Sequence, residues 1–252
     1  MLLEGKTAIV YGAGPLGAGV ARRFASEGAR VFVASRSREP LEALERDGID
    51  VAVLDALDEG AVEAHLRDVV ANAGSVDVSF NLTSREDKQV TPLVDLSVED
   101  AVRGPDTALR SHFITARAAA RRMIEQGSGV ILTLTSGTAR YPAAGMGNTG
   151  SADATVEAFM RTLAPEVGPS GVRVVGIYTA GVAESLTSER MELVTGQPMD
   201  VDAVLAGLAQ ATMLKRPCSL EGVTSTAAFL ASDGARDITG TVVNVTCGMV
   251  PG

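Results

Sequence analysis

Gly147 opens the stretch GNTGSADATVEAFMRTLAPEV, in which Val156, Phe159, Met160, Leu163 and Val167 recur at the spacing of one buried helix face. Counted back along that stripe, Asp153 lies three residues before Val156 and Thr149 four before Asp153, so both polar side chains fall near the buried side of the helix start. A threonine hydroxyl is an aliphatic alcohol, too weak an acid to deliver a proton efficiently near neutral pH. No histidine lies close in sequence to activate it as a nucleophile. A carboxylate beside it makes the hydroxyl harder still to ionise, but could hold a cation. An acid in the first turn of a helix is equally accounted for by the macrodipole.

A second constellation lies near the N-terminus. IVYGAGPLGAGVARRFASEGARVFVASR carries Gly12-x-Gly14-x-x-Gly17 directly after a strand pattern and at the opening of a helical one, the context that makes such glycines informative. Gly12 permits a tight turn, Gly14 lets the backbone approach a pyrophosphate, and Gly17 lets the helix close on the sheet. The first N–H groups of that helix then face the phosphates. The next strand ends Ala34-Ser35-Arg36-Ser37-Arg38, with no acid to take a ribose 2′-hydroxyl. Ser35 followed by Arg36 suits a 2′-phosphate, which a guanidinium binds bidentately. NADP(H) is therefore the expected cofactor; solvated loop charges are the other account of Arg36 and Arg38.

These groups need a scaffold. Strand patterns at 6–11, 30–34, 50–54, 77–81, 129–135, 172–178 and 241–245 alternate with helical patterns at 16–27, 58–71, 106–126, 150–167 and 219–232. Alternation of this kind predicts right-handed βαβ units. The expected fold is a single α/β domain over 1–252, a Rossmann-type doubly wound parallel sheet of about seven strands flanked by helices. A chain of 252 residues can bury a full core. With aromatics at 4%, Ala, Val, Leu and Gly must do the packing. The net charge of −9 argues against nucleic acid or an anionic membrane as partner. MLLEGKTAIVYG runs into a strand pattern, so neither a leader nor a membrane span is expected and the protein should be soluble and cytoplasmic. Cys218 and Cys247 are remote from each other in sequence and from any histidine, which indicates neither a disulfide framework nor a metal site.

From Lys6 to the C-terminus the sequence resembles the short-chain dehydrogenase/reductase family. The resemblance rests on the glycine loop, on DVSFN in place of the strand bearing that family's Asn-Asn-Ala-Gly, and on GSGVILTLTS leading to a serine. It is closest in ADATVEAFMRTLAPEVGPSGVRVV and GVTSTAAFLASDGARDITGTVVNVTCGMV. It implies a seven-stranded sheet, a nicotinamide cofactor, oxidoreductase activity on a small-molecule substrate, and a homotetramer or dimer built partly on the helices at 106–126 and 150–167. It adds Leu16, Asp55, Ala56 and Asn81 to the cofactor contacts made by Gly12, Gly14, Gly17, Ser35 and Arg36. Of the family's catalytic Asn, Ser, Tyr and Lys, the serine is kept as Ser136. Thr149 stands at the tyrosine position, Asp153 at the lysine position, and the asparagine position falls near Ala108. Thr179, Ala180 and Glu184 replace a Pro-Gly turn and a threonine that touches the carboxamide. The ANAG at 71–74 precedes the fourth strand and should end a helix; the corresponding segment is Asn81-Leu82-Thr83-Ser84.

Carbonyl reduction through a Tyr–Lys relay is thus not the expected chemistry. Three readings stay open: an oxidoreductase whose substrate needs no tyrosine acid, an iminium being the class that suits an anionic Asp153; a cyclase or isomerase using the pocket as a template; and a non-catalytic NADP-binding or scaffold protein. Ser136, Thr149 and Asp153 are the catalytic candidates, with Tyr141 as a loop aromatic that either swings into the site or packs on the lid. Tyr178 ends a strand at the cofactor edge, His65 reads as a solvated surface residue, and His112 as part of a helix–helix interface. SLTSERMELVTGQPMD (185–200) falls where the family carries a substrate lid, expected over 184–215.

Overall fold

Seven β-branched runs form one sheet in the computed structural model, which describes residues 1–251. The strands are β1 (Thr7–Tyr11), β2 (Arg30–Ser35), β3 (Asp50–Val53), β4 (Val78–Asn81), β5 (Gly129–Ser136), β6 (Val172–Thr179) and β7 (Thr241–Val245). They lie in the order β3-β2-β1-β4-β5-β6-β7, every neighbouring pair parallel. The order reverses between β1 and β4. In a sheet of this kind the crevice for a ligand opens there, beyond the carboxyl ends of the strands.

Helices cover both faces: α1 (Pro15–Ser26), α2 (Glu39–Arg46), α3 (Glu59–Ala73), α4 (Val98–Gln126), α5 (Thr149–Val167), α6 (Ser188–Thr195), α7 (Val201–Ala211) and α8 (Leu220–Ala231). Alternate side chains of a strand point to opposite faces, and β1 divides accordingly. Ala8 and Val10 pack with Phe24 of α1 and Leu230 of α8, while Ile9 and Tyr11 pack with Met123 of α4 and Met160 of α5. Burying a side chain the size of Phe24 contributes about 1.5–3 kcal/mol.

Local signals set the helix ends that matter for the site. Pro15 opens α1 with its preset φ, and no side chain caps Gly14, so the first N–H groups stay free. Asp58 caps α3 by accepting from the Ala61 N–H, and Gly74 stops it in the left-handed conformation, which makes ANAG a helix end. The third helical pattern of the sequence starts at 106, but the corresponding α4 begins at Val98, where the Ser97 hydroxyl accepts from the Asp100 N–H. Its Gly104-Pro105 pair looks like a breaker, because proline removes one helical donor. Gly104 is instead needed there: a Cβ would lie 2.8 Å from the Asn148 side-chain amide. His65, read as solvated, is partly buried on α3 with Nε2 unpartnered, and burial holds its imidazole below the usual range. Among the described residues no helix is long and apolar enough to cross a membrane.

Gly17 is where α1 meets the glycine turn, since a Cβ there would lie 1.9 Å from the Gly12 carbonyl oxygen. Gly17→Ala is expected to destabilise the chain by about 1–3 kcal/mol through overpacking. Each kcal/mol lowers Tm by roughly 2–4 °C in a chain of this size. Gly168→Ala, whose added methyl meets nothing within 4 Å, is the control and should leave Tm unchanged or slightly higher. Thermal melts that show no difference between the two variants would contradict this packing.

Candidate functional site

The glycine loop turns at Gly12 with φ of 107°. A Cβ on Gly12 would lie 2.6 Å from the Leu82 carbonyl oxygen, so packing demands glycine here as it does at Gly17. Gly14 differs: its φ is ordinary and a Cβ would point into open space. That space, above free helix N–H groups, fits the pyrophosphate of a dinucleotide. A cleft of about 210 Å³ runs from Gly12–Gly14 past Ser35–Ser37 and Leu54–Leu57 to Thr83, Ser84, Thr107 and Ser111, with Arg190 of α6 on its wall. Ser35, Arg36, Asp55 and Ala56 line it as the sequence suggests. Arg38 turns away to pair with Glu45 on the surface, and Arg36 faces the cleft.

Three of the anticipated cofactor contacts, Leu16, Gly17 and Asn81, do not line this cleft. Leu16 packs in a small apolar cluster with Ala180, Val182 and Val223. Asn81 is buried and spends its polar atoms inside the protein. Its amide donates to Thr115 Oγ1 at 3.1 Å, and its oxygen accepts from the Thr83 N–H at 3.0 Å and the Thr83 hydroxyl at 2.8 Å. Asn81 therefore fixes the turn after β4 and ties it to α4.

At the end of β5 the carboxylate of Asp153, with no exposed surface, accepts from the Ser136 N–H at 3.1 Å and from the Ser136 hydroxyl. Ser136 Oγ also lies 2.7 Å from Thr138 Oγ1. Asp153 sits one turn inside α5 and bonds across to β5, so it is not the first-turn cap that sequence allowed. Its charge is met by a residue the sequence reading passed over. Arg85, from the loop between β4 and α4, pairs with Asp153 and with Asp87, the latter at 2.9 Å. Burial pushes the Asp153 carboxyl above the usual carboxylate range, against the pull of Arg85 and Ser136. Burial also works against the Arg85 charge, but Asp87 and Asp153 outweigh it and hold the guanidinium more firmly protonated. Two carboxylates thus face one guanidinium in this cluster.

The same loop crosses the start of α5. Gln89 donates its side-chain amide to Thr149 Oγ1 at 3.1 Å, and Thr149 is buried beneath it. The Lys88 N–H donates to Asn148 Oδ1 at 2.8 Å, and the Lys88 carbonyl accepts from the Asn148 N–H at 3.2 Å. Glu86 and Val90 adopt left-handed backbone, φ 59° and 72°, a conformation that costs a non-glycine residue about 1–3 kcal/mol. Tyr141 does not join the site: it is 55% exposed on the loop after β5. Tyr178 is buried beneath the Arg140 guanidinium, 5.5 Å from its ring centre. His112 is buried on α4 with Nδ1 2.8 Å from the Ala108 carbonyl; burial, with Arg85 adding to it, depresses its pKa to about 4. Thr179 keeps a buried hydroxyl without a partner, and Glu184 accepts from the Leu220 N–H at 2.9 Å. Cys218 and Cys247 are free thiols.

A family model described as enoyl-(acyl carrier protein) reductase matches residues 12–250. The chain is 30% identical to a short-chain reductase protein, NovJ, of Streptomyces niveus, over 94% of this chain and 91% of that protein. It is 28% identical to the 3-oxoacyl-(acyl-carrier-protein) reductase FabG of Escherichia coli (strain K12), over 99% of each. The structure of NAD+-bound xylitol dehydrogenase superposes with a TM-score of 0.85 at 24% identity, covering 97% of this chain and 99% of that one, a likeness of fold.

Removing Arg85 leaves a buried charge without its partner. Arg85→Met is expected to cost about 3–5 kcal/mol near pH 7. The loss should shrink as pH falls, because protonating Asp153 removes the stranded charge, and its carboxyl, already raised by burial, rises further without Arg85. The wild type itself loses stability as pH falls from about 6.5 towards about 4, because the unfolded imidazole of residue 112 takes up a proton that the buried His112 does not. Losing Arg85 also relieves His112, so the quantity to follow is the effect of Arg85→Met in urea melts at each pH, compared with its effect in the Asp153→Asn background. Asp153→Asn added to Arg85→Met should recover most of the loss near neutrality. A difference that does not vary with pH would remove Asp153 as the cause.

Proposed function

The chain belongs to the short-chain dehydrogenase/reductase family, and we propose that it is an NADP(H)-binding oxidoreductase whose hydride acceptor needs no proton from a tyrosine. The observation that carries the reading is the cluster of Asp153, Arg85 and Asp87 against Ser136. On the family pattern Thr149 occupies the tyrosine position and Asp153 the lysine position. When bound, the reduced nicotinamide supplies a hydride. The Ser136 hydroxyl is directed at Asp153, and the Thr149 hydroxyl is held by Gln89. Neither is an acid matched to protonating an alkoxide near pH 7. An anionic Asp153 favours a substrate cation, and an iminium accepts hydride to give a neutral amine directly. A cyclic imine is the proposed substrate class.

The whole of 1–252 acts as one unit in this reading, with 184–215 as the lid over a small-molecule substrate. Free thiols suit a cytoplasmic protein. Leu109 and Phe113 of α4 are partly exposed, with the Phe113 ring edge-on to Phe159 of α5 at 6.0 Å. Such an apolar face supports a homo-oligomer, a tetramer or dimer, joined through α4 and α5.

One observation favours a second reading, a template enzyme or a non-catalytic NADP-binding protein: the loop carrying Arg85 and Gln89 lies over Thr149. Turnover separates the two. Wild type with saturating NADPH should reduce a cyclic imine and show little activity on simple ketones. Asp153→Asn should lower imine kcat/KM by about tenfold or more, the worth of a charged contact, with NADPH affinity unchanged. The Lys88–Asn148 and Gln89–Thr149 hydrogen bonds still tie the loop to the start of α5 in that variant, and an unchanged thermal melt is the check on its fold. NADPH binding without reduction of any imine or ketone would leave the second reading in place.

Cofactor choice has its own test. Arg36→Ala should weaken NADPH by about tenfold to a hundredfold, the worth of a charge-assisted phosphate contact, and leave NADH unchanged. Equal affinity of the wild type for NADPH and NADH, measured by fluorescence titration, would overturn the assignment of Arg36 to a 2′-phosphate.

A further inference from the structure

The cleft holds a cation that the cofactor reading does not use. Arg190 lines it together with Gly12, Gly14 and Arg36, and among the described residues neither Arg36 nor Arg190 has a carboxylate partner. Asp55 is the carboxylate of the wall, and its Oδ1 accepts from the Leu57 N–H at 3.0 Å. A chain with 31 acidic against 22 basic residues therefore presents two unpaired guanidiniums and one committed carboxylate to this space. Such a surface selects a polyanion.

We propose that Arg190 binds the pyrophosphate of the dinucleotide and so couples cofactor entry to the seating of α6; the inference rests on the dinucleotide reading above. NADP(H) is anionic at two places, the 2′-phosphate and the pyrophosphate. Arg36 follows β2, beside Ser35 and Ser37. Arg190 is on α6. The Val194 carbonyl, one turn on in α6, accepts from the Gln89 N–H at 3.0 Å, which sets α6 against the loop after β4. The ends of β2 and β4 flank that of β1. Gly14 and Arg190 line the same cleft, so a pyrophosphate seated at Gly14 shares that space with the Arg190 guanidinium. The Thr187 hydroxyl, accepting from the Arg190 N–H at 3.2 Å, fixes this first turn of α6.

The contact reaches further than affinity. α6 holds Gln89 through Val194, and Gln89 donates to Thr149 at 3.1 Å. A phosphate drawn to Arg190 is therefore one helix away from the hydroxyl at the candidate catalytic end.

Calorimetric titration with NADPH, NADH and adenosine 2′-monophosphate tests the proposal, because NADH keeps the pyrophosphate without a 2′-phosphate and adenosine 2′-monophosphate keeps the 2′-phosphate without any 5′-phosphate. Arg190→Gln should weaken NADPH and NADH by the same factor, about tenfold, and change adenosine 2′-monophosphate little. Arg190→Lys should restore part of the loss. Arg36→Ala should give the opposite pattern, weakening NADPH and adenosine 2′-monophosphate but not NADH. Hydrogen exchange supplies a readout of the lid: saturating NADPH should protect the amides of 188–195 in wild type and not in Arg190→Gln. An unchanged NADPH affinity in Arg190→Gln, or an equal loss for adenosine 2′-monophosphate, would overturn the assignment. Wild type that binds NADH as well as NADPH, with both weakened by Arg190→Gln, would remove the NADP preference and leave Arg190 in place. Failure of wild type to bind either dinucleotide would remove both.

Discussion

A carboxylate with no exposed surface must be matched, and Asp153 organises the end of the sheet around that requirement. Desolvating an ion costs several kcal/mol even after the protein relaxes. The Ser136 N–H and hydroxyl supply two donors, and the rest comes from Arg85. Bringing that guanidinium inward commits the whole loop between β4 and α4. Asn81 fixes the start of the turn through Thr83, and Asn148 receives Lys88 further along. The left-handed residues Glu86 and Val90 are the backbone cost of that route. Gly147, itself left-handed, has no room for a Cβ, which would lie 1.7 Å from the Lys88 carbonyl oxygen. The glycine-rich stretch before α5 is thus shaped by the loop that crosses it.

The glycine loop answers to a different constraint. Gly12 and Gly17 are fixed by backbone packed against backbone, and Gly14 by the empty space its missing side chain leaves. The first two would be needed to fold the βα turn whatever the chain binds. Gly14 alone among them has no steric reason inside the protein, which makes it the residue that speaks for a ligand. The cleft and the Asp153 cluster also differ in composition. The cleft wall carries unpaired guanidiniums, and the Asp153 cluster, which does not line that cleft, sets two carboxylates around one guanidinium.

The parallel sheet was legible because each strand is a compact β-branched run bounded by turn residues, and the runs sit within about a residue of the observed strands. The long helices follow from apolar periodicity. The start of α4 did not, because Gly104-Pro105 reads as a stop when Asn148, far away in sequence, is unseen. α2, α6 and α7 bury too few side chains to leave a clear stripe; no residue of α6 or α7 is fully buried. Thr149 and Asp153 could be placed near the buried side of their helix by counting. Arg85 could not: it lies in a loop without periodicity, and the pairing with Asp153 spans 68 residues. The one hint was the charged run Arg85–Lys88, separated from the end of β4 by three residues. Asn81 and Leu16, carried over from the family pattern, have side chains that pack inward, which leaves their backbone as the part that can meet a cofactor.

The charge of the Asp153 cluster also bears on which reductions such a site can support. Reducing a ketone separates charge: an alkoxide forms while a positive charge develops beside it, and a nearby proton donor is what makes that separation tolerable. Reducing an iminium creates no new pair. One positive charge is present before transfer and one after, displaced by the length of a contact. In the reading proposed above, an anionic Asp153 beside the hydride acceptor would stabilise the two ends of such a reaction alike, with no reorganisation as the charge moves. The same anion would oppose an alkoxide at every point along its formation. On that reading, a serine held against two carboxylates that share one guanidinium suits moving a cation better than neutralising an anion.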